Sequence, residues 1–284
     1  MTRAIGVWAV LVSAALACAS EPEQNEGPMT GGTAGTSSSP GASGGAAPGT
    51  AGMAAPGGTA AAPAAGSGSG PNCSALPPPT NMDDLVADFE MGTGATIQTP
   101  TRGGGFYMFN DMTGMQMPAP GMLPPATSVS RCASTYALCM SGKGFTMWGA
   151  GMGTDFAPTT GGMGAGMKQT YDASMYKGVA FWAKSNTGST AVRVGFKDKN
   201  TAPEGGQCNA MASTGPEACN DDWGKGITFS ANWQPYTISF AEIMQSGWGK
   251  AFPQFQANAV YSIQFQVAQG LDFDLCVDDL AFVR

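Results

Sequence analysis

The stretch Tyr261-Ser-Ile-Gln-Phe-Gln-Val267 alternates apolar and polar side chains at every position. A period of two places the apolar side chains on one face of an extended strand and the polar ones on the other. We therefore predict a half-buried antiparallel strand here. Its inward side chains would be Tyr261, Ile263, Phe265 and Val267, and its outward ones Ser262, Gln264 and Gln266.

Similar stretches occur along the rest of the C-terminal part of the chain. In 191–197, Val192, Val194 and Phe196 alternate with the outward Arg193 and Lys197. Further strands are predicted at 236–240, 85–90, 178–184 and 273–283, whereas 110–125 has no periodicity and is predicted to be a loop, and 240–246 indicates a helical turn. Strands separated by Gly- and Pro-rich loops predict an all-β domain, a β-sandwich over residues 72–284.

The first residues are typical of an export signal, predicted over 1–17. Arg3 supplies a positive charge, the apolar run 5–16 is shorter than the roughly 20 residues that a membrane span needs, and Ala15-Leu16-Ala17 suits a cleavage site. Ala-Leu-Ala-Cys18 resembles a bacterial lipobox, in which the cysteine is lipidated after cleavage. Plain secretion with Cys18 free or lost is the alternative.

Residues 18–71 are predicted to be a disordered linker. From Met29 to Gly70 every residue other than the two methionines is Gly, Ala, Ser, Thr or Pro. Such a composition buries too little apolar surface to offset its chain entropy. A cysteine for lipidation, a linker and a folded domain together predict display at the outer membrane or cell surface, or release outside the cell.

The composition excludes several classes of function. The chain of 284 residues has 13 Lys and Arg, 20 Asp and Glu, a formal net charge of −7 and no His. Without His, Ser-His-Asp and Cys-His centres and most zinc sites are ruled out. A nucleic-acid binder would need a basic surface, which this charge balance does not favour. We expect a monomer that meets the membrane only through a lipid anchor.

The cysteines of the folded region indicate three disulfides, because their number is even in a chain predicted to be exported. Several connectivities are open, and pairing of near neighbours is the simplest. It predicts the pairs 208–219 and 132–139, which leaves 73–276. A metal site is not favoured, because the sequence has no Cys-x-x-Cys spacing. The six residues are Cys73, Cys132, Cys139, Cys208, Cys219 and Cys276.

Several segments, taken in order, resemble the galactose-binding-domain-like jelly rolls, especially the carbohydrate-binding modules of bacterial secreted lipoproteins and glycosidases. The resemblance covers nearly all of 83–284 and implies a jelly-roll β-sandwich. The segments are Leu85-Val-Ala-Asp-Phe-Glu90, 144–153, 171–182, Asn232-Trp-Gln-Pro-Tyr236, Gln245-Ser-Gly-Trp-Gly249 and Phe273-Asp-Leu-Cys-Val-Asp-Asp-Leu-Ala-Phe282.

A carbohydrate ligand has an apolar C–H face and a rim of hydroxyls, so its binder needs flat aromatic rings and polar partners. Of the tryptophans in the domain, we predict Trp148 and Trp223 as ligand contacts and Trp182, Trp233 and Trp248 as core.

The outward polar side chains are the second set of candidates. Arg193, Lys197, Ser239, Gln264 and Gln266 are expected on one sheet surface, where Arg193, Gln264 and Gln266 suit recognition of hydroxyls. An ordinary solvated sheet face would show the same pattern.

The resemblance also implies a structural Ca²⁺ between the first and last strands. Its ligands by position would be Glu90 with Asp278 or Asp279, because calcium prefers hard oxygen ligands. Ordinary surface or capping carboxylates are the alternative.

The function implied is non-catalytic binding of a polysaccharide or other glycan. One alternative is a structural or adhesive surface protein that binds a protein or matrix partner. The other is a glycan-active enzyme, which needs two carboxylates at the bond to be cleaved. The Glu-x-Asp-x-x-Glu strand motif of sandwich-fold glucanases is absent from the sequence.

Lipidation at Cys18 has a direct consequence for fractionation. Cys18→Ala is expected to move the protein from the membrane fraction to the soluble fraction, since the acyl chains are its only predicted membrane contact. Immunoblotting of the two fractions measures this. Continued membrane association of the variant would contradict lipidation at this residue.

Overall fold

The structure is a computed structural model that describes residues 72–76, 79, 81–157 and 168–284. The predicted signal, Cys18 and the predicted linker lie outside these residues. Within them the only helices are two 3₁₀ turns, Met82–Asp84 and Pro203–Gly205. Neither is long or apolar enough to cross a membrane.

The described residues form twelve strands. They are β1 (Leu85–Ala87), β2 (Phe106–Asn110), β3 (Met115–Met117), β4 (Thr127–Arg131), β5 (Ser134–Lys143), β6 (Ala150–Asp155), β7 (Gly178–Ser185), β8 (Thr190–Asp198), β9 (Trp223–Phe229), β10 (Gln234–Ser239), β11 (Val260–Val267) and β12 (Phe273–Val283).

These strands build two antiparallel sheets, as the prediction of a jelly-roll sandwich requires. One sheet has five strands in the order β2-β6-β11-β8-β9. The other has seven, with the path β10-β7-β12-β5-β3, to which β1 is added beside β12 and β4 beside β5. The last strand of the chain therefore lies in the middle of the seven-stranded sheet.

The core lies between the two sheets and is supplied by the alternation read from the sequence. Ile263, Phe265 and Val267 of β11 are buried in it. From the facing sheet, Phe181 meets Phe265 edge to face, with 5.0 Å between ring centroids. Burial of such large side chains stabilises the fold by roughly 1.5–3 kcal/mol each.

Four local predictions need correction. The first strand ends at Ala87, because Phe89 has a φ of 59° that an extended strand does not allow. Ser262 is buried although it points away from the core. The segment 110–125 contains β3, a short strand at the edge of the seven-stranded sheet, and 240–246 contains turns and one isolated bridge but no helix.

All six cysteines of the domain are paired. The Cys208–Cys219 disulfide is present, as predicted. The predicted pairs 132–139 and 73–276 are wrong, because the bonds are Cys73–Cys132 and Cys139–Cys276. Cys139 and Cys276 stand directly opposite each other on β5 and β12. Only the strand order brings them together, so spacing in sequence gave no sign of this pair.

Proteolysis of unreduced protein is expected to yield these three cross-linked peptide pairs by mass spectrometry. The double variant Cys208→Ala/Cys219→Ala should lower the free energy of unfolding by about 3 kcal/mol, because the bridge closes a short loop in the unfolded chain. Met211→Ala, an exposed change in the same loop, is the control and should leave stability unchanged. Recovery of a 132–139 pair would contradict the connectivity.

Candidate functional site

The outer face of the five-stranded sheet carries the candidate site. One row of residues in direct register crosses all five strands and consists of Phe109, Gly151, Gln266, Arg193 and Gly226. Residues opposite each other on antiparallel strands share a face. The row therefore places an amide and a guanidinium side by side, with a glycine on either side of this pair and an aromatic ring beyond one of the glycines.

The next row on the same face repeats this composition. It runs from Tyr107 through Gly153, Gln264 and Gly195 to Gly224. The amide nitrogen of Gln264 donates to the Tyr107 hydroxyl at 3.2 Å. Because three of these five positions lack side chains, the sheet surface forms a shallow floor instead of a row of projecting groups.

The physical reason for having glycine differs between two of these positions. A Cβ at Gly151 would lie 2.4 Å from the ring of Phe109, so close packing requires glycine there. At Gly226 a Cβ would meet no atom within 4 Å. Glycine is therefore not needed for packing at 226, and its absence of a side chain leaves the surface open.

An open cleft of about 530 Å³ lies over one end of this face. It is lined by two tryptophans, by polar groups from four chain segments and by apolar residues and a glycine of β8 and β9. The lining residues are Trp148, Ala191, Val192, Arg193, Gly226, Ile227, Thr228, Ser246, Trp248, Gln266 and Ala268.

The two tryptophans are the most exposed large side chains of the cleft. Trp148 is 44% exposed and Trp248 43%. Trp148 stacks on Phe109 with a ring separation of 6.1 Å, and Phe109 in turn contacts Tyr107. A band of aromatic surface thus leads from the edge of the sheet into the cleft.

The polar groups of the cleft are held in place by backbone contacts. Arg193 donates from Nη2 to the carbonyl oxygens of Asp222 and Met244 at 2.9 and 2.7 Å. Gln266 donates from Nε2 to the carbonyl of Trp148 at 3.1 Å. Each side chain keeps further hydrogen-bonding capacity for a ligand, because a guanidinium has five N–H donors and an amide has both donor and acceptor atoms.

Charged residues collect at the other end of the same face. Lys168 pairs with Asp155 at 3.3 Å, and Lys197 pairs with Asp222 at the same distance. Burial, and then the carboxylate of Asp155, raise the pKa of Tyr107 to about 12. The Tyr107 hydroxyl is therefore neutral at physiological pH and both donates and accepts hydrogen bonds.

The structure brings together four of the predicted surface residues and separates two others. Arg193, Lys197, Gln264 and Gln266 share the outer face of the five-stranded sheet, as expected. Ser239 lies on β10, in the other sheet. Trp223, predicted as a ligand contact, is buried and packs against Phe255 in the core, because its position in β9 points inward, opposite to Gly224.

Trp248 is the exposed cleft residue that the sequence analysis missed. It was predicted to be core, as were Trp182 and Trp233, which are indeed buried. Trp248 instead projects from the turn Gly247-Trp248-Gly249. Flanking glycine was the signal that favoured Trp148, and the same signal was present at Trp248.

The carboxylates predicted to bind calcium do not fit a metal site as they are arranged. Arg131 lies between two of them: its Nε and Nη2 contact Asp278 at 3.0 and 2.9 Å, and Nη2 also contacts Asp279. Glu90 accepts hydrogen bonds from the Ser134 hydroxyl and two backbone amides. No group of three or more acidic or Cys ligands is found in the described part of the chain.

Arg131 is itself buried and stacked between aromatic rings. Its guanidinium lies 5.0 Å from the ring centroid of Trp182 and 5.8 Å from that of Trp233. Its positive charge therefore lies beside Asp278 and Asp279, two of the carboxylates that the resemblance implies as calcium ligands.

Comparison with family models finds a match to the C-terminal part of this domain. Residues 150–284 match the family model Carbohydrate binding domain 30. The match begins at the first residue of β6 and extends through β12. It confirms the resemblance to carbohydrate-binding modules. No curated protein matches the sequence.

Two carbohydrate-binding modules are among the solved structures that match this chain. The family 11 carbohydrate-binding module of Clostridium thermocellum, solved with a β-1,3-1,4-mixed-linked tetrasaccharide, is 15% identical, with 70% of this chain and 94% of that chain covered and a TM-score of 0.41. The family 30 module of a cellulosomal cellulase of the same organism is 14% identical, with 67% and 96% covered and a TM-score of 0.41.

Removing Arg131 tests whether this residue or a metal ion balances the negative charge of the neighbouring carboxylates. Arg131→Met should lower the free energy of unfolding by about 3–5 kcal/mol, because Asp278 is left buried without a counter-charge. Lys225→Met, which breaks the exposed pair with Glu242, is the control and should leave stability nearly unchanged. Urea denaturation measures both.

The same geometry predicts that EDTA leaves the melting temperature of the wild-type protein unchanged. A melting temperature that falls with EDTA and recovers with added Ca²⁺ would restore the calcium hypothesis for these carboxylates.

Proposed function

We propose that this domain binds a polysaccharide in the cleft of the five-stranded sheet and does not cleave it. The observation that carries the proposal is the position of Trp148 and Trp248, both exposed and both lining one cleft that also contains Arg193 and Gln266. The match to a carbohydrate-binding family over 150–284 supports it independently.

The chemistry of the cleft suits a sugar chain. An aromatic ring offers a flat apolar surface to the C–H face of a pyranose, while guanidinium and amide groups bond to its hydroxyls. The glycine-rich floor leaves room for several sugar units to lie across the strands. Thr228 and Ser246 add hydroxyl groups at the edge of the cleft.

The lining also favours binding without hydrolysis. A glycosidase places two carboxylic groups at the scissile bond. None of the described residues that line the cleft is Asp or Glu. The carboxylates Asp155 and Asp222 belong to the other end of the face and are both paired with lysines.

Export and surface display belong to the same proposal. Three disulfides suit an oxidising compartment. Lipidation of Cys18, followed by the linker of 18–71, would tether the binding domain at the cell surface.

Affinity electrophoresis against a panel of soluble polysaccharides, including mixed-linked β-1,3-1,4-glucan, tests the function. We expect at least one polymer to retard the protein with no release of reducing sugar. Trp148→Ala and Trp248→Ala should each weaken binding by about tenfold or more, since each removes a stacking surface at the centre of the site. Met115→Ala, which removes an even more exposed apolar side chain on the other sheet, should not change retardation.

Adding a side chain to the floor of the cleft is a second test of the same site. Gly226→Leu should block the cleft without strain, because the position is open. Thr237→Leu on β10 adds the same side chain to the other sheet and is the control. Retardation by no polymer in the panel, or equal retardation of wild type and Gly226→Leu, would overturn the proposal. Release of reducing sugar would favour an enzyme.

A further inference from the structure

Asp111 lies directly after β2 and is 8% exposed. One carboxylate oxygen, Oδ2, accepts hydrogen bonds from three consecutive backbone amides, those of Met147, Trp148 and Gly149, at 3.0, 2.9 and 2.8 Å. The other oxygen accepts from the amide and hydroxyl of Thr113 at 3.0 and 2.6 Å. One oxygen of this buried carboxylate is thus directed at the turn that carries Trp148, and the other at Thr113.

Asp221 repeats the arrangement at the other tryptophan and is 2% exposed. Its Oδ1 accepts from the amide of Ser246 at 2.8 Å, and its Oδ2 from the amides of Gly247 and Gly249 at 2.7 and 3.3 Å. These amides surround Trp248 in sequence. Asp111 and Asp221 come from different parts of the chain, yet each ties down one tryptophan turn.

Neither carboxylate forms an ion pair within the described residues, and most of their hydrogen bonds come from backbone amides. Successive N–H groups that converge on one point form an anion-binding concavity. At Asp111, burial raises the pKa, but the hydrogen bonds from Thr113 and the turn amides outweigh it and hold the pKa well below its ordinary value. The group is therefore ionised at physiological pH, where its hydrogen bonds are charge-assisted.

The backbone of both turns needs such an anchor. Gly149 has a φ of 100° and Gly247 a φ of 89°, conformations that side chains rarely adopt. Glycine also gains the most freedom when a turn loosens. The hydrogen bonds to Asp111 and Asp221 restrict this freedom in the two turns that carry the cleft tryptophans.

We infer that Asp111 and Asp221 are positioning residues, which set the two cleft tryptophans in their binding orientation before a ligand arrives. A pre-set ring loses less conformational entropy on binding than a mobile one, which raises affinity without adding a contact. Neither aspartate lines the cleft, so each acts through the turn that it holds. The affinity part of this inference rests on the proposed function.

Asparagine at either position tests the inference in the full chain. The amide group keeps the size of the carboxylate but presents N–H donors to backbone donors. Hydrogen exchange followed by mass spectrometry, without any glycan, is the first readout. Asp111→Asn should speed exchange in 146–149 by about tenfold or more and leave 246–249 unchanged, and Asp221→Asn should do the reverse.

Affinity electrophoresis with a polysaccharide that retards the wild type is the second readout, and each variant should bind about fivefold to tenfold more weakly. Thr113→Val is a milder variant: it keeps the carboxylate but removes one bond to Asp111 and the acceptor of the Thr146 amide, so a smaller loss confined to 147–149 is expected beyond the direct effect at Thr146. Thr113→Val takes the place of Asp111→Asn in both measurements if Asp111→Asn does not fold.

Asp198 offers a matched control. It too is buried and accepts from three backbone amides, those of Asn200, Thr201 and Gln256, but it lies at the other end of β8 from the tryptophan pair. Asp198→Asn should reduce stability while leaving exchange in both turns and glycan affinity unchanged.

The outcomes separate the two claims. Unchanged exchange in the turns of the Asp111 and Asp221 variants, or an equal loss of affinity in Asp198→Asn, would overturn the positioning role. Faster exchange in a protein that binds no polysaccharide would uphold the anchoring of the turns and refute the proposed function.

Discussion

The two-residue period of β11 is the constraint on which fold and site both depend. As the central strand of the five-stranded sheet, it gives Ile263, Phe265 and Val267 to the core and Gln264 and Gln266 to the opposite face. A shift of one residue in register would exchange the two sets. The same packing that stabilises the domain therefore fixes which polar groups a ligand meets.

The site divides into a rigid floor and two anchored turns. The floor comes from paired strands and contains glycines wherever a side chain would obstruct it or clash, as at Gly151. The aromatic groups come from loops, which a sheet alone does not hold in place. Two buried carboxylates hold these loops in place instead. Their hydrogen bonds come from backbone amides and therefore do not depend on which side chains the turn carries.

Much of this could be predicted from the sequence, and the failures have physical causes. Alternation identified the strands and the polar face, because period and burial are local properties. Ser239 was placed wrongly because its sheet depends on strand order, and the pairing of Cys139 with Cys276 depends on the same non-local information. Trp223 was predicted as a ligand contact and Trp248 as core, whereas Trp223 is buried and Trp248 is exposed. Trp223 lies in a strand, where alternation decides burial, and Trp248 lies in a glycine-flanked turn. Arg131 was not foreseen as the partner of Asp278, since 147 residues separate them.

The Cys73–Cys132 disulfide has a mechanical consequence. Cys132 follows Arg131, which stacks on Trp182 and Trp233 at the outer face of the seven-stranded sheet, so the chain enters the domain on the side away from the cleft. Tension applied through the chain that precedes Cys73 would pass through this covalent bond to Cys132, which lies between β4 and β5. It bypasses β1, whose three residues would otherwise be the first to unzip from β12.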